Sequence, residues 1–207
     1  MRASAVTPTV GSMTTVVVLP SVLGLRQGVL DAAVLLREHG HVVHVLHPTG
    51  VPVDDDYTAA VARIEALDHA AVLAATVEQA RSVPGPFAVL GFSHGVLLAE
   101  HLATSRPQDV CGAVLLGGAI PVEHLGAPWP PGVPVLVHET VDDPWRDEGF
   151  AEQLAADVEA AGGRAEVLHH PGSGHLFTDA SLPAEYQPVE ARVTWDRVLA
   201  FLAGLGV

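Results

Sequence analysis

Three short stretches of the chain carry side chains able to act together as nucleophile, base and acid. Gly91-Phe92-Ser93-His94-Gly95 is a Gly-x-Ser-x-Gly pentapeptide set between the apolar run Ala88-Val89-Leu90 and a second apolar run that begins at Val96. That pattern predicts a sharp strand-to-helix turn lifting the Ser93 hydroxyl above the edge of a sheet, with glycines where side chains would crowd the crossing. The helix that follows points its N-terminus, with its unpaired N–H groups, toward the place where an oxyanion would form. Downstream come His138-Glu139-Thr140-Val141-Asp142-Asp143-Pro144 and Pro171-Gly172-Ser173-Gly174-His175-Leu176-Phe177. A serine hydroxyl is a poor nucleophile until a neutral imidazole accepts its proton. That imidazole in turn needs an acceptor on its other nitrogen to fix the tautomer. Ser93, His175 and one aspartate would supply the three parts. Taken alone, the pentapeptide is equally compatible with a packing turn, and His175 with a surface loop histidine; the three loops together point to acyl transfer.

Of the two adjacent aspartates, Asp143 is favoured over Asp142 as the acid. Pro144 makes a rigid turn that aims its carboxylate, which leaves Asp142 as a solvated or turn-capping neighbour. The expected oxyanion donors are the backbone N–H of His94 and that of Val22, in the loop Pro20-Ser21-Val22-Leu23-Gly24. The His94 ring is expected to pack. Ser21 is either a second polar group near the nucleophile or a hydroxyl bonded to its own backbone. His138, beside the acid loop, is expected to be a satisfied buried histidine. Trp129, Trp145 and Phe177 are candidate apolar walls, with Trp145 and Phe177 the expected substrate contacts. Arg26 and Arg146, in loops near the rim, would hold a substrate carboxylate or, as most surface arginines do, a salt bridge. Cys111 starts a strand and is expected to pack as a small hydrophobe.

The elements that must position these groups alternate along the chain. Strands are expected at Thr15–Pro20, His41–Leu46, the run ending at Ser93, Cys111–Gly117, Val133–His138 and Arg164–His169. Helices are expected at Gln27–His39, Tyr57–Ser82 (two pieces, broken near Leu67-Asp68), His94–Ser105, Phe150–Ala161 and Pro188–Leu205. Strands that are nearly continuous apolar runs, separated by helices, imply a mostly parallel six-stranded sheet covered on both faces, a three-layer αβα sandwich. Ligands in such sheets sit beyond the carboxyl ends of the strands, where all three loops fall. The stretch between Gly118 and Val133 is proline-rich and too short for a helical cap, so no large lid is expected over the site.

Composition narrows the remaining classes. The chain has 207 residues, 49% of them hydrophobic, a single cysteine and a formal charge of -14. One domain over 13–207 suits that length, preceded by a flexible N-terminal extension over 1–12 that lacks the pattern of a signal peptide. No lysine is present; every cation is an arginine or a histidine. Such a balance repels phosphate backbones and anionic lipid, so neither nucleic acid nor membrane is an expected partner. The lone cysteine fits a reducing, cytoplasmic setting, and the expected assembly is a monomer or small homo-oligomer. Among the twelve histidines, His39, His41, His44 and His47 bracket a strand whose side chains alternate faces, and adjacent His169 and His170 point apart. No metal site is expected, nor a nucleotide cofactor, since neither a Gly-x-Gly-x-x-Gly nor a P-loop follows the first strand.

Ser, then Asp, then His is also the chain order of α/β-hydrolases. More narrowly, the chain resembles the dienelactone hydrolase family. The resemblance is carried by the Ser93 pentapeptide, Asp142-Asp143-Pro144-Trp145, the loop ending in Gly174-His175-Leu176-Phe177, the opening Pro20-Ser21-Val22-Leu23-Gly24-Leu25, and Tyr186, Trp195, Arg197, Leu199 and Phe201. It runs from about Thr14 to the C-terminus and implies a compact α/β-hydrolase acting on small esters or lactones without a cofactor. The family's best-known members carry cysteine where this chain has Ser93 and glutamate where it has Ser21. These two departures belong together, because a serine triad does not need a carboxylate to manage a thiol proton. They point away from dienelactone itself and toward a general serine esterase working through an acyl-enzyme. Acyl transfer, thioester cleavage, or ligand binding without catalysis are the alternatives on the same framework.

Overall fold

The structure is a computed structural model and describes residues 13–206; the expected extension over 1–12 lies outside the described residues. Six strands form one sheet in the order β2-β1-β3-β4-β5-β6. They are β1 Thr15–Leu19, β2 Val42–Val45, β3 Phe87–Phe92, β4 Val110–Leu116, β5 Val135–Thr140 and β6 Ala165–His170, and every neighbouring pair is parallel. This is the parallel three-layer αβα sandwich that the alternating pattern predicts.

Strand side chains alternate between two apolar layers, as the two-residue period requires. Val17, Leu19, Val89, Leu115 and Val137 face one layer, where Leu98, Leu102, Leu154 and Val158 cover them. Val16, Val18, Leu90, Val114 and Leu136 face the other, against Val29, Leu36, Val198 and Leu202. The covering helices are α1 Gln27–Glu38, α2 Tyr57–Glu65, α3 His69–Ala80, α4 His94–Ser105, α5 Phe150–Ala160 and α6 Pro188–Ala203. The expected break near Leu67-Asp68 separates α2 from α3. Each of the two helices has its own aspartate cap: Asp56 accepts from Thr58 N–H at 2.8 Å and Asp68 from Ala71 N–H at 3.2 Å. Such caps stabilise a helix start by about 1 kcal/mol.

One boundary differs in a way that matters. β5 runs to Thr140, two residues past the expected His138, because β6 continues to pair with it through Glu139↔His169 and Thr140↔His170. Asp142 and Asp143 therefore leave a strand anchored on its neighbour.

Candidate active site

The elbow is built at the junction of β3 and α4. Ser93 has φ 52°, the only positive φ among the described non-glycine residues. That left-handed geometry strains a residue with a Cβ and persists only where surrounding structure enforces it. The enforcement is visible: Ser93 N–H donates to Leu116 O at 2.8 Å, and Ser93 O accepts from Val96 N–H at 2.7 Å. Two glycines make room. A Cβ on Gly91 would collide with the Gly95 carbonyl, and one on Gly95 with the Leu19 and Pro20 carbonyls. The start of α4 thus sits against the end of β1 and the loop that carries Val22.

At this elbow three side chains form one hydrogen-bonded row. His175 Nε2 and Ser93 Oγ lie 2.7 Å apart, and His175 Nδ1 and Asp143 Oδ2 lie 2.6 Å apart. Asp143 and His175 are 7% exposed each, which shields the row from competing water. Asp143 Oδ1 accepts from Trp145 N–H at 2.8 Å, so a tight turn closed on its own carboxylate aims the other oxygen at the imidazole. Asp142 is exposed and its N–H donates to Gly172 O at 3.0 Å; its backbone joins the two loops while its side chain faces out.

The histidine loop is held from several sides. Thr140 Oγ1 donates to Gly174 O at 3.1 Å. Gly174 N–H donates to Gln187 Oε1 at 3.0 Å, and Gln187 Nε2 donates to Pro171 O at 2.6 Å. Glu185 Oε2 accepts from Leu176 N–H at 2.7 Å and from Tyr57 Oη–H at 3.1 Å. The Tyr57 ring meets the His175 ring edge-on with centroids 6.0 Å apart, and Trp145 flanks it at 6.2 Å. Burial and the Glu185 carboxylate push the Tyr57 hydroxyl pKa well up, so Tyr57 stays a neutral donor.

The row opens into a cleft of about 270 Å³, whose wall includes Val22, Tyr57, His94, Ile120 and Trp145. That is close to the lower end of the ~300–1,000 Å³ of small-molecule sites. Both residues expected to present oxyanion N–H groups, Val22 and His94, line it. Burial lowers the His94 ring to a pKa of about 4, with the nearby His69 a smaller cause, so the ring is neutral near pH 7. The wall is mostly apolar, with Ser93, His94, Glu139, Asp147 and His175 among its polar residues.

Phe177 and Trp129 lie outside the cleft lining. Phe177 is 1% exposed and packs against the His170 ring at 5.1 Å, behind the site. It supports the histidine loop and is not a cleft wall: two residues after His175, the chain has already turned into the core. Trp129 is 3% exposed and donates its indole N–H to Val133 O at 2.9 Å, away from the cleft. Ser21 Oγ accepts from Leu23 N–H at 3.2 Å, the local backbone bond weighed for it. Arg26 and Arg146 both lie in ion pairs, with Asp55 and Asp179 and with Glu139. His138 is fully buried but only half satisfied: Nδ1 lies 2.7 Å from His170 Nε2, while its own Nε2 has no partner. Cys111 is half-buried, and burial pushes its thiol up to about 11. Among the described residues no group of three or more His, Cys, Asp or Glu side chains is arranged to hold a metal ion. Nor is any helix there long and apolar enough to cross a membrane.

Tyr57, Glu139, Glu185 and Gln187 were not among the residues marked out by sequence. Tyr57, Glu185 and Gln187 are single polar residues in an otherwise ordinary helix or loop, and Glu139, although inside the stretch that carries Asp143, has no signal of its own.

Comparison with known proteins identifies relatives of the chain. Residues 1–205 match the model of the dienelactone hydrolase family. A Bradyrhizobium protein described as "Probable 2-oxo-3-(5-oxofuran-2-ylidene)propanoate lactonase" is 25% identical, covering 93% of this chain and 84% of its own. Among solved structures, a dienelactone hydrolase-like promiscuous phosphotriesterase from metagenomic libraries superposes with TM-score 0.75 at 19% identity, over 94% of this chain and 87% of the other. Mouse alpha/beta hydrolase domain-containing protein 10 gives TM-score 0.67 at 15% identity, over 93% and 92%.

Proposed function

The chain belongs to the dienelactone hydrolase family, and from that premise we propose that it is a serine hydrolase cleaving small carboxylic esters or lactones through an acyl-enzyme. The observation that carries this is the Ser93–His175–Asp143 row at the base of an open cleft.

Ser93 Oγ attacks the substrate carbonyl as His175 Nε2 takes its proton. Asp143 holds the Nδ1–H tautomer and stabilises the imidazolium. The Val22 and His94 backbone N–H groups meet the negative oxygen of the tetrahedral intermediate, reinforced by the positive end of α4. Collapse expels the alcohol, or opens the lactone, with the proton returned from His175 Nε2. Water then enters, gives its proton to His175, and releases the acid and Ser93. Trp145 forms one wall for the bound substrate. No step calls for a metal or an organic cofactor. The single cysteine fits a reducing compartment, and we place the enzyme in the cytoplasm, as a monomer or small homo-oligomer.

Turnover of short p-nitrophenyl esters and of simple lactones tests the proposal. Wild-type protein is expected to hydrolyse members of both classes, and Ser93→Ala to lose activity by at least about 10³-fold. A wild type inert toward all of them would leave only a binding role for the cleft.

A further inference from the structure

Arg26 and Arg146, the two arginines expected at the rim, are already committed to carboxylates. Arg26, 5% exposed, gives Nε to Asp179 at 3.2 Å and Nη1 to the Asp54 carbonyl at 2.6 Å and to the Asp55 carboxylate. Its Nη2 donates to the Ser181 carbonyl at 3.2 Å and hydroxyl at 3.1 Å. Arg146 pairs through Nε with Glu139 and donates from Nη1 to Val141 O at 3.3 Å. The chain has no lysine to substitute for them. Among the described residues that line the cleft, none is an arginine, while two, Glu139 and Asp147, are acidic. Val22, Val61, Leu97 and Ile120 make up much of the rest of the wall, and the neutral His94 ring adds no charge.

Resting on the serine-hydrolase reading, we propose that the cleft selects esters and lactones that are uncharged on both sides of the scissile bond, and discriminates against those bearing a carboxylate. A carboxylate drawn into this cleft must shed water and meets no arginine among the described lining residues. Recruiting Arg146 would take from Glu139, itself 2% exposed, its arginine and leave His169, 2.9 Å away, as its one other partner, and weakening a buried ion pair is unfavourable. Asp147 at the exposed rim and the formal charge of -14 add a longer-range repulsion that salt weakens. Specificity here comes from what the wall rejects as much as from what it attracts.

Two matched pairs test this on the purified full chain. p-Nitrophenyl hexanoate is compared with the mono-p-nitrophenyl ester of adipic acid, and methyl 4-acetoxybenzoate with the 4-acetoxybenzoate anion, release of acetate being followed in the second pair. The neutral member of each pair is expected to have a kcat/KM higher by about tenfold or more. The gap should narrow at high salt, and narrow further in Ile120→Arg, which places a cation in the wall. Equal or faster turnover of the carboxylate members by wild type would overturn the proposal while leaving the hydrolase itself standing. No turnover of any ester, with Ser93 also unreactive toward a fluorophosphonate, would remove the hydrolase reading and this specificity together.

Discussion

One oxygen of Glu185 accepts from the Leu176 amide at 2.7 Å and from the Tyr57 hydroxyl at 3.1 Å, so one carboxylate ties the residue after His175 to α2, whose Tyr57 also lines the cleft. The proposed base therefore sits on a braced loop, and Glu185 is a positioning residue that reaches the reaction only through that loop. Glu185→Ala is expected to lower kcat by roughly ten- to hundredfold, the scale of a misplacement of about 1 Å, with KM little changed. Glu185→Gln keeps an acceptor oxygen for Leu176 and should recover most of the loss. A rise in KM at constant kcat would assign Glu185 to substrate binding.

The two aspartates of the acid loop should separate cleanly. Asp143→Asn replaces the acceptor facing His175 Nδ1 with a group that also donates, which favours the wrong tautomer. A loss on the order of 10⁴ in kcat is expected. Asp142, with its side chain in solvent, should tolerate Asn with a change of about twofold or less. Steady-state kinetics of the two variants side by side decide the assignment.

How far the sequence revealed this arrangement depended on how local each signal was. The strands of the sheet and the elbow were legible because apolar runs and the glycine spacing around Ser93 act within a few residues. Asp143 could be favoured over Asp142 from sequence because its neighbour Pro144 shapes the turn, and in the structure it is Asp143 that lies 2.6 Å from His175. The end of β5 was misjudged because Glu139 and Thr140 are polar, and only pairing with β6, some thirty residues on, keeps them in the strand. Phe177 was misassigned for a related reason: its aromatic character suits either a wall or a core, and the turn after His175 decides between them. Glu185 and Gln187 were missed because what they do depends on partners brought close only by the fold.

Glu100 should impose a penalty on stability at neutral and alkaline pH. It is fully buried on α4; one oxygen accepts from Ile120 N–H at 3.0 Å and the other has no partner. Burial pushes its pKa well above the ordinary 4.5, so the folded chain keeps a proton there that the unfolded chain releases. Folding is thus disfavoured as pH rises above 4.5, by about 1.4 kcal/mol per pH unit until the folded group ionises. Glu100→Gln removes this dependence, and urea unfolding should show the variant gaining on wild type at pH 8 relative to pH 4.5. A constant offset between the two would mean that the carboxyl is ionised in the folded protein.

The His138–His170 pair should govern acid sensitivity. Their rings stack 5.1 Å apart. Burial first, and the neighbouring His170 second, lower His138 to a pKa of about 3. Below the ordinary value of 6.5 the unfolded chain binds a proton that the folded one refuses, so stability falls as pH drops from 6.5 toward about 3. In His138→Leu that slope should be shallower by about 1.4 kcal/mol per pH unit. Urea midpoints collected across the window measure it, and an unchanged slope would shift the origin of acid sensitivity to other buried histidines.

The most direct measurement is the intact mass of the protein after exposure to a fluorophosphonate, followed by mapping of the modified peptide. A single adduct on Ser93, absent from Ser93→Ala and strongly slowed in His175→Ala, is the predicted result. Wild-type protein that stays unmodified, or carries the adduct on another residue, would contradict the assignment of Ser93 as an activated nucleophile.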